Sequence, residues 1–239
     1  MKYYKFLTVD NKGEYSEFNF TEYLPKEGKP GKWLPKITTI KICKRGYHAF
    51  ELENILEWAN AQLFEVELRG VSIIGDTKTV AQQMRFVRKV EAWNDKTTRL
   101  FACYCARDVL PIFEKEYPND NRPRAAIDTS ERYANGEATD SELSAARYEA
   151  WNVVRDVARY EALIVAWDEA LIAERYAAVS AAWSVARDAP QDAAMSAAWA
   201  AALAVAWVTA RDATWSAELS VARAQYRAHL IEMLGLEEK

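Results

Sequence analysis

Two histidines, three cysteines and scattered carboxylates are the obvious groups from which this 239-residue chain could build an acid–base or nucleophilic centre. His48 is the candidate general acid or base. It follows Gly46 at a turn between a strand and a helix, where sites often lie. A lone histidine there also serves as a hydrogen-bonded structural residue. Glu65 and Glu67 stand two apart in L-F-E-V-E-L-R-G, so on a strand they share a face. Paired carboxylates of that kind do acid–base work or hold a metal; the same spacing also describes a solvated strand face. His48, Glu65 and Glu67 are therefore the residues an enzyme would use here. Cys103 and Cys105 have no histidine close in sequence and make a poor nucleophile or zinc set. No CxxC pair, HExxH, phosphate-binding glycine loop or G-x-S-x-G elbow occurs, so neither a metal nor a resident cofactor is expected.

A different chemistry is written in Y-P-N-D-N-R-P-R at Tyr117–Arg124. Asp120 or Asn121 can cap a following helix, and Pro123 fits its first turn. Arg122 and Arg124 then stand at a helix N-terminus, where two guanidinium forks suit a phosphate or carboxylate. The same residues also suit a purely structural brace, with Asp120 as cap and Arg122 paired to a carboxylate. Asp120, Arg122 and Arg124 are the candidate ligand- or partner-binding set. Three further arginines join it from a repeat. W-x-x-(A/V)-R-D occurs at Trp151, Trp183 and Trp207 and ends in Arg155-Asp156, Arg187-Asp188 and Arg211-Asp212. Trp151, Trp167, Trp183, Trp199 and Trp215 are spaced by sixteen. On one straight helix that spacing turns successive rings by about 160°. The repeat therefore predicts several antiparallel helices, with tryptophans in the core and Arg155, Arg187 and Arg211 in ion pairs or at a binding face.

The elements that must carry these residues fall into two halves. Tyr3 to Val9 is a β-rich run, followed by a turn at Asp10–Gly13. Three prolines and two glycines predict a long loop over 21–36. Ile37 to Cys43 reads as a strand. Leu52, Ile55, Leu56 and Ala59 fall at helical spacing, which predicts a short helix over 51–60. Leu63 to Arg69 alternates as a strand that Gly70 ends, Gly75-Asp76 marks a turn, and residues 78–90 favour a strand. A helix is predicted from Asn94 or Asp95 to about Glu116, and a second after Asp120 closes at Asn135-Gly136. Thr139 with Glu142 forms a capping box for a third, and Asp188 to Gln191 repeats that start signal. From Glu137 to Leu234 there is no Gly and a single Pro, and the run is rich in Ala, the best helix former. The chain therefore reads as a small α+β domain over 1–92 and an all-α, Ala/Trp-rich multi-helix domain over 93–239. By this reading it is predominantly helical.

Composition bounds the function. Hydrophobic residues at 50% and charged residues at 28% are globular values. Residues 1–100 hold 17 Lys/Arg against 13 Asp/Glu, and the remainder 14 against 22. Neither half is charged enough to announce a nucleic-acid partner. Ala193 to Ala210 is eighteen residues without a charge, but ten are Ala and Arg211-Asp212 follows. A buried helix is expected there, not a membrane span. Three cysteines make no paired framework, and M-K-Y-Y-K-F-L-T-V-D lacks the apolar core of a signal peptide. A cytoplasmic protein with reduced thiols is the expectation.

From Trp93 onward the chain resembles a family of bacterial and phage immunity proteins, the immunity protein 5-like group. The resemblance is carried by R-L-F-A-C-Y-C-A-R-D-V-L-P-I-F-E at Arg99–Glu114, Y-P-N-D-N-R-P-R-A-A-I at Tyr117–Ile127, R-Y-A-N-G-E at Arg132–Glu137 and the Ala/Trp/Arg run after it. It implies a non-enzymatic inhibitor in bacterial immunity or phage counter-defence. Such a protein would neutralise a toxin or a defence-system component, or sequester a small nucleotide signal, and a homo-oligomer is compatible with it. Upstream, K-I-C-K-R-G-Y-H-A-F and L-F-E-V-E-L-R-G resemble a small phage-type domain of no known reaction. Gly46-Tyr47-His48-Ala49 through Gly70 is also faintly similar to ADP-ribosyltransferase folds. That likeness implies, as the alternative, an NAD-using enzyme acting through the Gly46–Gly70 unit. The chain departs from it in lacking the upstream NAD-binding histidine motif and a clear catalytic glutamate.

Overall fold

The computed structural model describes residues 2–146, 148–150, 152 and 215–236. Two units emerge, one of Met1–Asn94 with Arg227–Lys239 and the other of Asp95–Tyr226.

The first unit is built on a four-stranded antiparallel sheet in the order β1-β5-β6-β4. Its strands are β1 (Tyr3–Leu7), β4 (Tyr47–Ala49), β5 (Gln62–Ile74) and β6 (Thr79–Lys89); β2 (Lys12–Gly13) and β3 (Ser16–Asn19) form a separate hairpin. β5 and β6 pair in register from Phe64↔Lys89 to Ile74↔Thr79, with irregularities at Glu65/Val66 and Arg69/Ser72. Such bulges add twist. The sheet curls until its two ends meet: Tyr4 N–H donates to the Phe50 carbonyl at 2.7 Å and Phe50 N–H returns the bond to Tyr4 at 2.9 Å. Inside the curl lie Leu7, Phe20, Leu34, Ala49, Phe64, Val66, Met84 and Phe86. Phe86 meets both Phe20 and Phe64 edge to face, the arrangement that ring quadrupoles favour.

The loop predicted over 21–36 has a structural task. Gly31, Leu34 and Ile37 donate their N–H groups to the carbonyls of Phe86, Met84 and Gln82. This segment therefore covers the part of β6 that β4 leaves open, which satisfies an otherwise bare edge.

Ile37–Cys43 is not a strand. Its residues make isolated bonds, and the chain turns back where Arg45 N–H reaches the Lys41 carbonyl, with Cys43 at φ 61°. The predicted helix over 51–60 is a 3-10 helix, Leu52–Glu57, whose buried Leu52 and Ile55 sit one three-residue turn apart. Gly70 does not end a strand; β5 runs through it to Ile74. In the turn at Asp10–Gly13 the positive φ is at Asn11. No α-helix occurs among the described residues of 1–94. Over all described residues, helix accounts for 39% and strand for 27%, so the chain is not predominantly helical. The sheet is larger than short strand signals suggested.

The second unit opens with α1 (Asp95–Glu116) and α2 (Arg122–Ala134). Cys103, Ala106 and Leu110 of α1 pack against Ile127 of α2. A three- to four-residue spacing puts those groups on one stripe. Pro111 lies inside α1, and the helix continues past it. α2 ends in a Schellman motif: Glu137 N–H reaches the Arg132 carbonyl and Gly136 N–H the Tyr133 carbonyl, with Gly136 at φ 78°. The Thr139 capping box forms in both directions, Thr139 N–H to Glu142 at 2.8 Å and Glu142 N–H to Thr139 Oγ1 at 3.2 Å. Helical residues follow from 140. A further helix, Trp215–Met233, is described near the other end of the chain.

Candidate functional site

His48 is fixed by its neighbours. β4 holds it opposite Val80 of β6. Its Nε2 accepts the Cys43 N–H at 3.0 Å, and the ring also bonds the Gly46 backbone. With Nε2 accepting, the proton of the neutral ring sits on Nδ1. Gly46 must be glycine: φ is 124°, and a Cβ would collide with Val80. Burial pushes the imidazole down to about 4, and the nearby Lys5 and Lys78 ammoniums push the same way. At neutral pH the ring is uncharged and its two nitrogens brace the 43–46 turn.

Glu65 and Glu67 go elsewhere. Each pairs with an arginine across the β5–β6 ladder, Glu65 with Arg88 at 2.8 Å and Glu67 with Arg85 at 2.6 Å. Arg85 also lies over the Trp33 ring, 4.9 Å from its centroid. Neither carboxylate lines the cleft that His48 borders. The structure does not bring the three residues together.

That cleft, about 470 Å³ in volume, lies within the first unit. Its walls include Lys5, Lys44, Lys78 and His48, with Phe6, Phe50 and Trp58 supplying apolar surface. Lys5 Nζ donates to the His48 carbonyl at 3.0 Å, and burial with the Lys78 charge lowers its ammonium to about 8. Lys78 Nζ sits 4.3 Å from the centre of the Trp58 ring, whose Nε1–H donates to the Thr77 carbonyl at 2.9 Å. Sequence reading missed these lysines. They come from β1, a turn and the approach to β6, so no local spacing joins them; only the curled sheet does.

In the second unit the Tyr117–Arg124 loop is internally paired. Arg122 grips Asp120 with two nitrogens at 2.9 and 2.7 Å, and Asp120 Oδ1 also accepts the Arg122 N–H. Arg122 therefore holds the Asp120 carboxyl below its usual range. Asn121 stands at the cap position of α2 without a side-chain cap bond. Arg124 makes a two-pronged pair with Glu114 at 2.7 Å on both arms. Beside them Arg107, missed in the sequence, joins α1 to Glu131 and Asp128 of α2 at 2.6–2.8 Å. Tyr226 donates to Asp108 at 2.8 Å. Burial pushes the Cys103 and Cys105 thiols up to about 12, so both are protonated and poorly nucleophilic at neutral pH. Arg155, Arg187, Arg211, the tryptophan repeat from Trp151 to Trp207, the Asp188–Gln191 start signal and the apolar run Ala193–Ala210 lie outside the described residues.

Among the described residues no group of His, Cys, Asp and Glu is placed to hold a metal, and no helix is long and apolar enough to cross a membrane.

The comparisons with known proteins agree with part of this picture. Residues 88–167, a third of the chain, match the family model described as Imm-5 like putative immunity protein. The match begins at the end of β6 and takes in α1, the 117–121 loop and α2. No curated protein and no solved structure matches the chain. The likeness of Gly46–Gly70 to ADP-ribosyltransferase folds gains no support, and neither does a phage connection. The connecting helix of that likeness is the 3-10 segment Leu52–Glu57.

Proposed function

We propose that this chain is an immunity protein that neutralises a toxin by binding it. The observation that carries the reading is the match of residues 88–167 to an immunity family. That stretch includes α1 and α2, which ion pairs and an apolar seam join to each other. Arg107, Arg124 and their carboxylates form a ribbon of ion pairs over the apolar seam of Cys103, Leu110 and Ile127. Shape held by paired helices suits a protein whose work is to present a fixed surface to a partner, because a preformed surface loses little freedom on binding.

The test is genetic and then physical. Effector domains encoded beside the gene are expressed one at a time in a sensitive host, with and without this chain. Relief of growth arrest by one of them, with a complex of fixed stoichiometry in native mass spectrometry, supports the reading. If no effector is relieved, the proposal fails. Consumption of NAD by the purified chain, abolished by His48→Ala, would favour the enzymatic alternative instead.

A further inference from the structure

We infer that the cleft between β1, the 43–46 turn and the approach to β6 binds a small organic phosphate, a function independent of toxin neutralisation. Four observations converge on it. Three ammonium groups, Lys5, Lys44 and Lys78, border one cavity, and among the described residues no carboxylate pairs with any of them. The carboxylate on the walls is Glu14 alone. The imidazole that could have completed a hydrogen-bonded site with them is neutral and engaged by the 43–46 turn. Phe6, Ala49, Phe50 and Trp58 add apolar and aromatic surface, beside the polar Ser16 and Asn60.

Placing like charges around one cavity costs free energy that the fold must supply elsewhere. Contrast the surface of β5 and β6, where Arg85 and Arg88 each face a glutamate across the ladder. In the cleft two of the cations, Lys5 and Lys78, are held in place. The Lys5 ammonium is tied to the His48 carbonyl and sits 5.5 Å from the Phe20 ring centre. Lys78 is seated on Trp58, whose own N–H is tied to Thr77. Each ammonium has three donors. Beyond its bond to the His48 carbonyl, Lys5 keeps donors that a phosphate would accept. A cavity of about 470 Å³ is the size of a pocket for a nucleotide-sized molecule. Its apolar wall would cover the organic part while the ammoniums meet the charge. The Asp120–Arg124 loop is a weaker site for the same chemistry, since its guanidiniums are already on carboxylates.

The experiment is calorimetric titration of the full chain with inorganic pyrophosphate and with ATP, at low and high salt. Binding that weakens with salt is expected. Lys78→Gln and Lys44→Gln should each weaken it about tenfold, the loss of one charge-assisted contact. Lys36→Gln, an exposed lysine outside the cleft, should leave it unchanged. Circular dichroism establishes that each variant is folded, and Lys44, on an exposed turn, provides the decisive variant if Lys78→Gln does not fold. No heat with either probe at millimolar concentration overturns the proposal. So does an equal loss in Lys36→Gln, which would show attraction to the surface at large.

Discussion

His48 sits where a catalytic base would, and its surroundings give it a different task. A ring whose Nε2 accepts from Cys43 and whose partner on the other side is the Gly46 backbone cannot take a second proton without breaking the turn. The folded chain refuses that proton until about pH 4, whereas an unfolded histidine takes it near 6.5. Between those values the unfolded state binds more protons, so stability is present above pH 6.5 and is lost as pH falls toward 4. His48→Gln keeps an acceptor that does not titrate in this range. The difference in thermal midpoint between wild type and H48Q should therefore shrink steadily from pH 7 to 4, and a constant difference would sink the assignment. Lys5 acts in the same sense at the alkaline end: its folded value of about 8 lies below its ordinary value of 10.5, so its contribution grows as pH rises from 8 to 10.5. Tyr4 carries a buried hydroxyl. The residue is 1% exposed, and its hydroxyl is buried without a partner. A buried polar group left unbonded costs about 1–3 kcal/mol. Tyr4→Phe should therefore be neutral or stabilising by up to about 1 kcal/mol in urea titration, with the ring packing on Phe50 retained. A clear destabilisation would mean that the hydroxyl is bonded in solution.

At the scale of elements, what could be read in the sequence was local chemistry. The α1 start at Asp95, the Asn135-Gly136 stop and the Thr139–Glu142 box each depend on residues within one turn of one another, and each stands as expected. Ile37–Cys43 has strand-like composition, but whether it pairs depends on β6, dozens of residues away, and there it contributes a few bonds and then turns. Leu52 and Ile55 fit a 3-10 turn as well as an α-turn, and six residues are too few for periodicity to decide. The lysine cleft had no local signature at all, because closure of the sheet through Tyr4 and Phe50 assembles it. Among the described residues, Pro111 runs against the helix that holds it. It removes the N–H that would reach the Arg107 carbonyl, and its own side chain is exposed. Pro111→Ala should raise the thermal midpoint, with a gain of about 1–3 kcal/mol. A loss instead would mean that the proline shapes α1 for its packing on Ile127.

Taken as a whole molecule, the chain leaves its first unit at Asn94 and returns to it at Arg227. The returning segment is not a loose end. Leu230, Ile231, Leu234 and Leu236 are all buried, Leu230 completely. Arg227 Nη1 donates to the Glu53 carbonyl at 3.2 Å, which ties the segment to the Leu52–Glu57 turn. A second Schellman motif stops the Trp215–Met233 helix: Leu236 N–H reaches the Ile231 carbonyl, and Gly235, at φ 59°, reaches Glu232. That stop turns Leu236 back toward the helix it follows, where burial of its side chain accompanies the motif. The stability of the strand-built unit therefore draws on Leu230, Ile231, Leu234 and Leu236, far along the chain from its strands. Leu230→Ala removes a fully buried side chain and should cost about 2–5 kcal/mol. Where the cost appears is the informative part. Amide hydrogen exchange should speed up in β1, in Leu52–Glu57 and in β5. The amides of α1 and α2, held by Arg107 and the Ile127 seam, should change little. Faster exchange confined to α1 and α2 would place Leu230 in the other unit and overturn this division of the chain.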